Sequence, residues 1–216
     1  MTKLSFYGPI IDIFVTDYPS VVHSRPCLTR GVDRVAEAFR ACPREEFLPR
    51  GERRRASYDG PIPIGHGQTN SQPRTVEAML RLLDVHEGQR VLDVGSGSGW
   101  TTALLAHLTG PGGRVLGVEL EPDLVDFGRD NLDRAGVPWA SIFEAAPGVL
   151  GLPDAAPFHR VLVSAMARAL PDELVSQLHT GGVMVAPVDG TMLRVSCSMR
   201  GVGITRHGAY RFVPLR

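Results

Sequence analysis

From residue 90 onward this chain alternates short β-branched runs with amphipathic helical stretches, and few architectures can accommodate that order. RVLDV (90–94) precedes a helical stretch from about Trp100 to Leu108, and RVLGVE (114–119) precedes another from Pro122 to Ala135, stopped by Gly136. A strand near Ser141 to Phe143 follows, then RVLVS (160–164), a helix after Pro171 ending at Gly181-Gly182, and VMVAPV (183–188). Consecutive parallel strands need a crossover, usually a helix, so strand-helix alternation predicts a mostly parallel sheet with helices on both faces. The expected class is α/β, with a Rossmann-like, doubly wound sheet. Asp189-Gly190, between VMVAPV and TMLRVSCSM, is a two-residue hairpin signal, so the sheet is expected to end in a C-terminal antiparallel hairpin.

Ahead of the alternation, Val32, Val35, Ala36 and Phe39 mark one helical stripe that ends before Pro43. Residues 43–70 are rich in proline, glycine and charge and read as ordered loop with little regular structure. The Arg53-Arg54-Arg55 run within them reads as a solvated face. Val76, Met79, Leu80 and Leu83 share a second helical face, with Pro73 in the first turn and Ser71 as the expected N-cap. Residues 1–30 show no sustained period and read as an irregular or strand-like N-terminal extension, which leaves 31–216 as a single domain.

Composition excludes several functions. With 43% hydrophobic and 21% charged residues, the chain lies outside the range in which chains stay disordered. Lys plus Arg and Asp plus Glu both total 23, so no general attraction for nucleic acid or an anionic membrane is available. No apolar run approaches the roughly 18 residues that span a bilayer. Three cysteines without metal-ligand spacing fit reduced thiols and a cytoplasmic protein, and neither a metal site nor a Ser-His-Asp triad is expected.

The strongest chemical signal is VLDVGSGSGW (91–100), a buried strand that runs through Gly95, Gly97 and Gly99 into a helix. Glycines there allow positive φ and close backbone approach, and helix-start amides offer donors to a ligand at the carboxyl end of the sheet. Glu119 ends the next strand, about the spacing at which a carboxylate meets ribose hydroxyls. The glycines do not match the dinucleotide pattern G-x-G-x-x-G, because Trp100 follows Gly99. Asp93 at the strand end fits poorly beside a pyrophosphate and suits a ligand with an ammonium group and no phosphate, such as S-adenosylmethionine.

DVGSGSG with Glu119 resembles the cofactor loop of class I methyltransferases. AFRACPREEFLP (38–49), PIPIGHGQTNSQP (61–73), the stretch from Ala156 to Val188 and the ending HGAYRFVPL (207–215) resemble the protein-L-isoaspartate O-methyltransferase family. The resemblance runs from about residue 32 to the C-terminus, and GHGQT-x-S is its most specific part. It implies the class I methyltransferase fold and a cofactor, S-adenosyl-L-methionine, held by Thr69, Ser71, Asp93, Gly95, Ser96, Gly97, Gly99, Glu119 and Leu120. It further implies adenine contacts at Ala146 and Pro147, where the family's Gly-Asp-Gly stands and the aspartate is missing. Ser71 would orient the acceptor carboxylate as the catalytic residue, and His66 with Ser71 would contact substrate. Asn70 replaces an apolar residue common in the family.

The activity implied is carboxyl O-methylation of L-isoaspartyl residues in damaged proteins or peptides, which starts their repair. Two other functions are compatible with the same residues: a dedicated peptide aspartate O-methyltransferase in peptide maturation, and an inactive relative that binds the cofactor.

Overall fold

β4 (Arg90–Val94) shows why this sheet must be covered on both faces: its side chains are apolar in both directions. Val91 joins one buried cluster with Val115, Leu162 and Val185, while Leu92 and Val94 join another with Val118, Val161 and Met184. Near-continuous apolar strands are the mark of a parallel sheet with no wet face. The structure is a computed structural model that describes residues 13–17 and 32–216.

Strands β4, β5 (Arg114–Glu119), β6 (Ala140–Glu144), β7 (Phe158–Val163) and β8 (Leu178–Val188) are mutually parallel in the order β8-β7-β4-β5-β6. β9 (Thr191–Ser198) and β10 (Gly201–Ala209) continue the sheet antiparallel beyond β8. At the outer edge β1 (Ile13–Asp17) pairs parallel with β10. Within the expected extension, residues 13–17 therefore form a strand; residues 1–12 and 18–31 lie outside those described. The turn at Asp189-Gly190 is the expected one, with φ of +45° and +78° and Val188 paired to Thr191.

The helices are distributed unevenly. α1 (Arg34–Ala41), α2 (Pro73–Leu83), α3 (Trp100–Thr109) and α4 (Pro122–Ala135) contribute to the Val91 side. The opposite side is covered by α5 (Asp172–Val175) and by Leu150, Leu152 and Ala155 from the β6–β7 connection. The helix expected up to Gly181-Gly182 is thus a single turn. Gly181 and Gly182 instead sit inside β8, Gly181 at φ +88°, where the register against β7 shifts between Phe158 and Arg160. Glycines that suggest a helix stop here accommodate a bulge.

Residues 43–70 carry more regular structure than expected: two single-turn 3-10 helices (Arg44–Phe47 and Arg53–Arg55) and the hairpin β2 (Ile62–Gly65) with β3 (Gln68–Asn70). Ile62 and Ile64 pack with Leu48 and Leu124, which seats this hairpin on α4.

The glycine loop depends on one close crossing. A Cβ on Gly99 would stand 3.0 Å from the Gly128 carbonyl oxygen of α4, and Gly99 has φ +82°. Gly99→Ala combines left-handed strain with overpacking, and a loss of about 1–3 kcal/mol is expected. A urea unfolding midpoint equal to wild type would show that the crossing relaxes freely.

Candidate active site

The sheet reverses its winding at β4, which has β5 on one side and β7 on the other, and the carboxyl ends of those strands open a crevice. Beyond Val94 the chain turns through Gly95 and Gly97 at φ of +78° and +52°. The amides of Gly95 and Ser96 both donate to the Val118 carbonyl, at 2.8 and 3.1 Å, so the loop is pinned to the end of β5. There Glu119, 7% exposed, accepts from Gly97 N–H at 2.8 Å through one oxygen. Its other oxygen accepts from the amides of Leu120 and Glu121 at 2.7 and 3.1 Å. Three backbone amides thus fix this carboxylate in place at the crevice wall.

Asp93 lies deeper and is fully buried. One carboxylate oxygen accepts the hydroxyls of Thr101 and Thr102, both at 2.7 Å, while Oδ1 has no partner among the described residues; neither has the hydroxyl of Ser96. Burial pushes the Asp93 carboxyl up to about 6, against the two threonine bonds, with the charge of Glu119 adding to the rise.

A cleft of about 90 Å³, open to solvent, occupies this crevice. Its floor is Val94, Gly95, Gly97 and Glu119, with Leu120, Val149 and Leu150 forming one side. Ile64, Gln68 and Thr69 of the β2–β3 hairpin close another side. Val213–Arg216 form a further wall, pinned by Met166 N–H to the Val213 carbonyl at 2.7 Å and Leu215 N–H to the Met166 carbonyl at 2.8 Å. The ending 207–215 is therefore strand only through Ala209 and then a strap along the site.

Of the residues singled out in sequence, Thr69, Gly95, Gly97, Glu119 and Leu120 meet on the cleft. Asp93, Ser96 and Gly99 are buried and do not line it. Ala146 and Pro147 are exposed in a turn closed by Val149 N–H to the Ala146 carbonyl, and their neighbours Ala145 and Val149 line the cleft instead. Ser71 is half-buried and off the cleft lining. It is not the N-cap of α2: Gln72 holds that place, and no side chain caps the helix. The reason is Pro73, which starts the helix and moves the cap to the residue before it. His66, at φ +52°, turns towards α4, with Nε2 3.0 Å from Asp123 and Nδ1 3.9 Å from Glu121. Leu150, Ser164, Ala165 and Val213–Arg216 escaped sequence reasoning: the resemblance covers 156–188 and 207–215 as stretches and gives none of these residues a role.

The donor set fits a nucleoside that carries a cationic group. Glu119 presents a carboxylate where ribose hydroxyls can donate, and the unpartnered Oδ1 of Asp93 leaves buried negative character that a cation would offset.

Comparison with known proteins agrees. The profile of the family described as protein-L-isoaspartate(D-aspartate) O-methyltransferase matches residues 28–216. The chain belongs to that family. A protein-L-isoaspartate O-methyltransferase of Methanopyrus kandleri is 44% identical over 188 residues, covering 85% of this chain and 83% of the relative. One from Methanothrix thermoacetophila is 43% identical, covering 85% and 88%. A Plasmodium falciparum crystal structure, described as such an enzyme with S-adenosyl-L-homocysteine, superposes with a TM-score of 0.76 at 26% identity, over 85% of this chain and 90% of that one. The mostly parallel sheet with antiparallel C-terminal strands is thus the fold of this methyltransferase family.

A ligand ammonium acting on Asp93 favours its ionised form. Asp93 in the free protein is neutral below about 6, so ligand affinity is expected to rise with pH up to that point. Titration calorimetry with S-adenosyl-L-homocysteine should show binding weakening up to about tenfold per unit below that point. Asp93→Asn should flatten the profile. Equal slopes in wild type and variant would remove Asp93 from cofactor recognition.

Proposed function

We propose that this protein uses S-adenosyl-L-methionine to methylate the carboxylate of L-isoaspartyl residues in proteins or peptides, the first step in their repair. The observation that carries this reading is the meeting, at one cleft, of the amide-held Glu119 with the hairpin segment that ends in Thr69 and leads into Ser71.

When bound, the cofactor supplies a methyl group activated by a sulfonium. Glu119 would hold the ribose hydroxyls, and Leu120 with Val149 would give the adenine an apolar wall in place of the missing aspartate. Gly95 and Gly97 would let backbone approach the ligand without side-chain bulk, and Asp93 would offset its ammonium charge from beneath the loop. An acceptor carboxylate, with a reference pKa of roughly 4, is already ionised near neutral pH, so no general base is needed. What the chain supplies is alignment and exclusion of water, effects that together can be worth about 7–11 kcal/mol. Thr69 stands at the cleft for the reacting centre, and Ser71, two residues ahead of α2, orients the acceptor through its hydroxyl with help from the helix N-terminus.

In this reading residues 31–216 form one methyltransferase domain and 1–30 an extension that lends β1 to the sheet edge. The protein is cytoplasmic; among the described residues no helix is long and apolar enough to cross a membrane. Its partners are isoaspartyl proteins and peptides rather than nucleic acid.

Incubation with labelled S-adenosylmethionine and paired peptides, one isoaspartyl and one aspartyl, is expected to put base-labile ester on the isoaspartyl peptide alone. Ser71→Ala should lower kcat by about 10–100-fold with cofactor affinity little changed. Ester on the aspartyl peptide, or on neither while the cofactor still binds, would sink general repair in favour of a dedicated peptide substrate or an inactive binder.

A further inference from the structure

The segment carrying Thr69 and Ser71 is joined to the glycine loop by the side chain of Asn70. Asn70 is 5% exposed, Arg44 6% and Ser98 2%. Arg44 Nε donates to Asn70 Oδ1 at 2.6 Å, which fixes the orientation of the amide, because a guanidinium can only donate. Asn70 Nδ2 therefore faces Ser98 and donates to its hydroxyl at 3.1 Å. Arg44 Nη2 also reaches the backbone carbonyls of Asn70 and Ser71, at 3.0 and 2.8 Å. Ser98 is one residue beyond Gly97, whose amide grips Glu119, and its own carbonyl accepts from Asn131 Nδ2 of α4 at 2.7 Å. A continuous buried path thus runs from the acceptor segment through Asn70 to the loop beneath the cleft.

We propose that Asn70 is a positioning residue for methyl transfer. Through Ser98 it sets the distance between the Thr69–Ser71 segment and the glycine loop, and so governs turnover rather than cofactor affinity. This rests on the function proposed above. An apolar side chain of similar size would fill the same space yet leave Arg44 Nε and the Ser98 hydroxyl without partners, and the direct hydrogen-bonded tie between the Thr69–Ser71 segment and the glycine loop would be lost. In-line displacement tolerates little of that freedom, since a shift of about 1 Å can cost about 100-fold in rate. Cofactor contacts at Glu119 and Gly97 do not pass through Asn70, so affinity there is spared.

The test compares Asn70→Leu, Asn70→Asp and Ser98→Ala in the full chain. Asn70→Leu is expected to lose about tenfold or more in kcat on an isoaspartyl peptide, with Kd for S-adenosyl-L-homocysteine within about threefold of wild type. Hydrogen exchange at the Thr69–Ser71 amides should accelerate about tenfold in the same variant. Asn70→Asp can accept from both Arg44 and the Ser98 hydroxyl, and should recover kcat to within about threefold of wild type. Ser98→Ala cuts only the link to the glycine loop and should show a partial kcat loss; if Asn70→Leu does not fold, this variant decides. Wild-type kcat in both Asn70→Leu and Ser98→Ala would overturn the proposal, as would a kcat loss in Asn70→Leu that merely follows its folded fraction. Absence of methyl ester with the wild-type protein would instead overturn the functional reading; the exchange comparison would still stand, and equal protection in wild type and Asn70→Leu would overturn the tie itself.

Discussion

A buried guanidinium with no carboxylate partner among the described residues organises the acceptor side of this protein. Arg44 is held by oxygens from separate stretches of chain: the carbonyls of Tyr58 and Gly60, the carbonyls of Asn70 and Ser71, and the side chain of Asn70. Trp100 lies beneath it, 5.5 Å from ring centroid to guanidinium carbon. Burial, helped by the like charge of Arg55, pushes its pKa down to about 10, with Asp59 pulling the other way, so the group stays cationic at neutral pH. Hydrogen bonds to a charged group contribute about 1.5–3 kcal/mol each, and an uncompensated buried charge costs several kcal/mol. The loops around Arg44 consequently have one low-energy arrangement, the one that surrounds the cation with carbonyls. That arrangement delivers the β2–β3 hairpin to α4 and Ser71 to the start of α2.

The cofactor side is built on the opposite plan. Asp93 Oδ1 and the Ser96 hydroxyl are buried and unpartnered, and the charge at Glu119 adds to the cost of ionising Asp93. Polar atoms near the acceptor loops are satisfied internally, whereas those under the glycine loop are left wanting a partner. Unpaired polarity buried beneath a ligand site costs folding stability, a cost that native proteins concentrate at functional sites. The amide of Asn70 joins the rigid acceptor scaffold directly to the glycine loop of the incomplete cofactor pocket.

Legibility in the sequence followed the range of the forces involved. β4, α3, β5 and α4 could be read because buried strands and helical stripes are local patterns, and the Asp189-Gly190 turn because its two positive φ values demand those residues. Glu119 and Gly97 were readable for the same reason, being one strand apart in a unit with fixed geometry. Elsewhere tertiary pairing overrode local signals. Gly181-Gly182 read as a helix stop, but β7 recruited the stretch from Leu178 onward into β8 and shortened α5 to one turn. The loop at 43–70 looked irregular because its order comes from Arg44, a long-range partner with no periodicity. The strap Val213–Arg216 reaches the cleft through pairing with Met166, far away in sequence.

The mouth of the cleft differs in strength from its floor. Two walls that come from distant parts of the chain meet at the first turn of α4: His66 of the hairpin lies near Glu121 and Asp123, and Arg216 lies 3.5 Å from Glu121. The side chains of His66 and Arg216 are 40% and 56% exposed, and solvent-exposed ion pairs contribute only about 0–1 kcal/mol each. Below them, the Gly95, Ser96 and Gly97 amides are locked to Val118 and Glu119, and Gly99 is wedged against Gly128. Breaking those exposed pairs therefore costs little, although Met166 still pins the strap and Leu124 still seats the hairpin, while displacing the loop would break the crossing on which the fold depends.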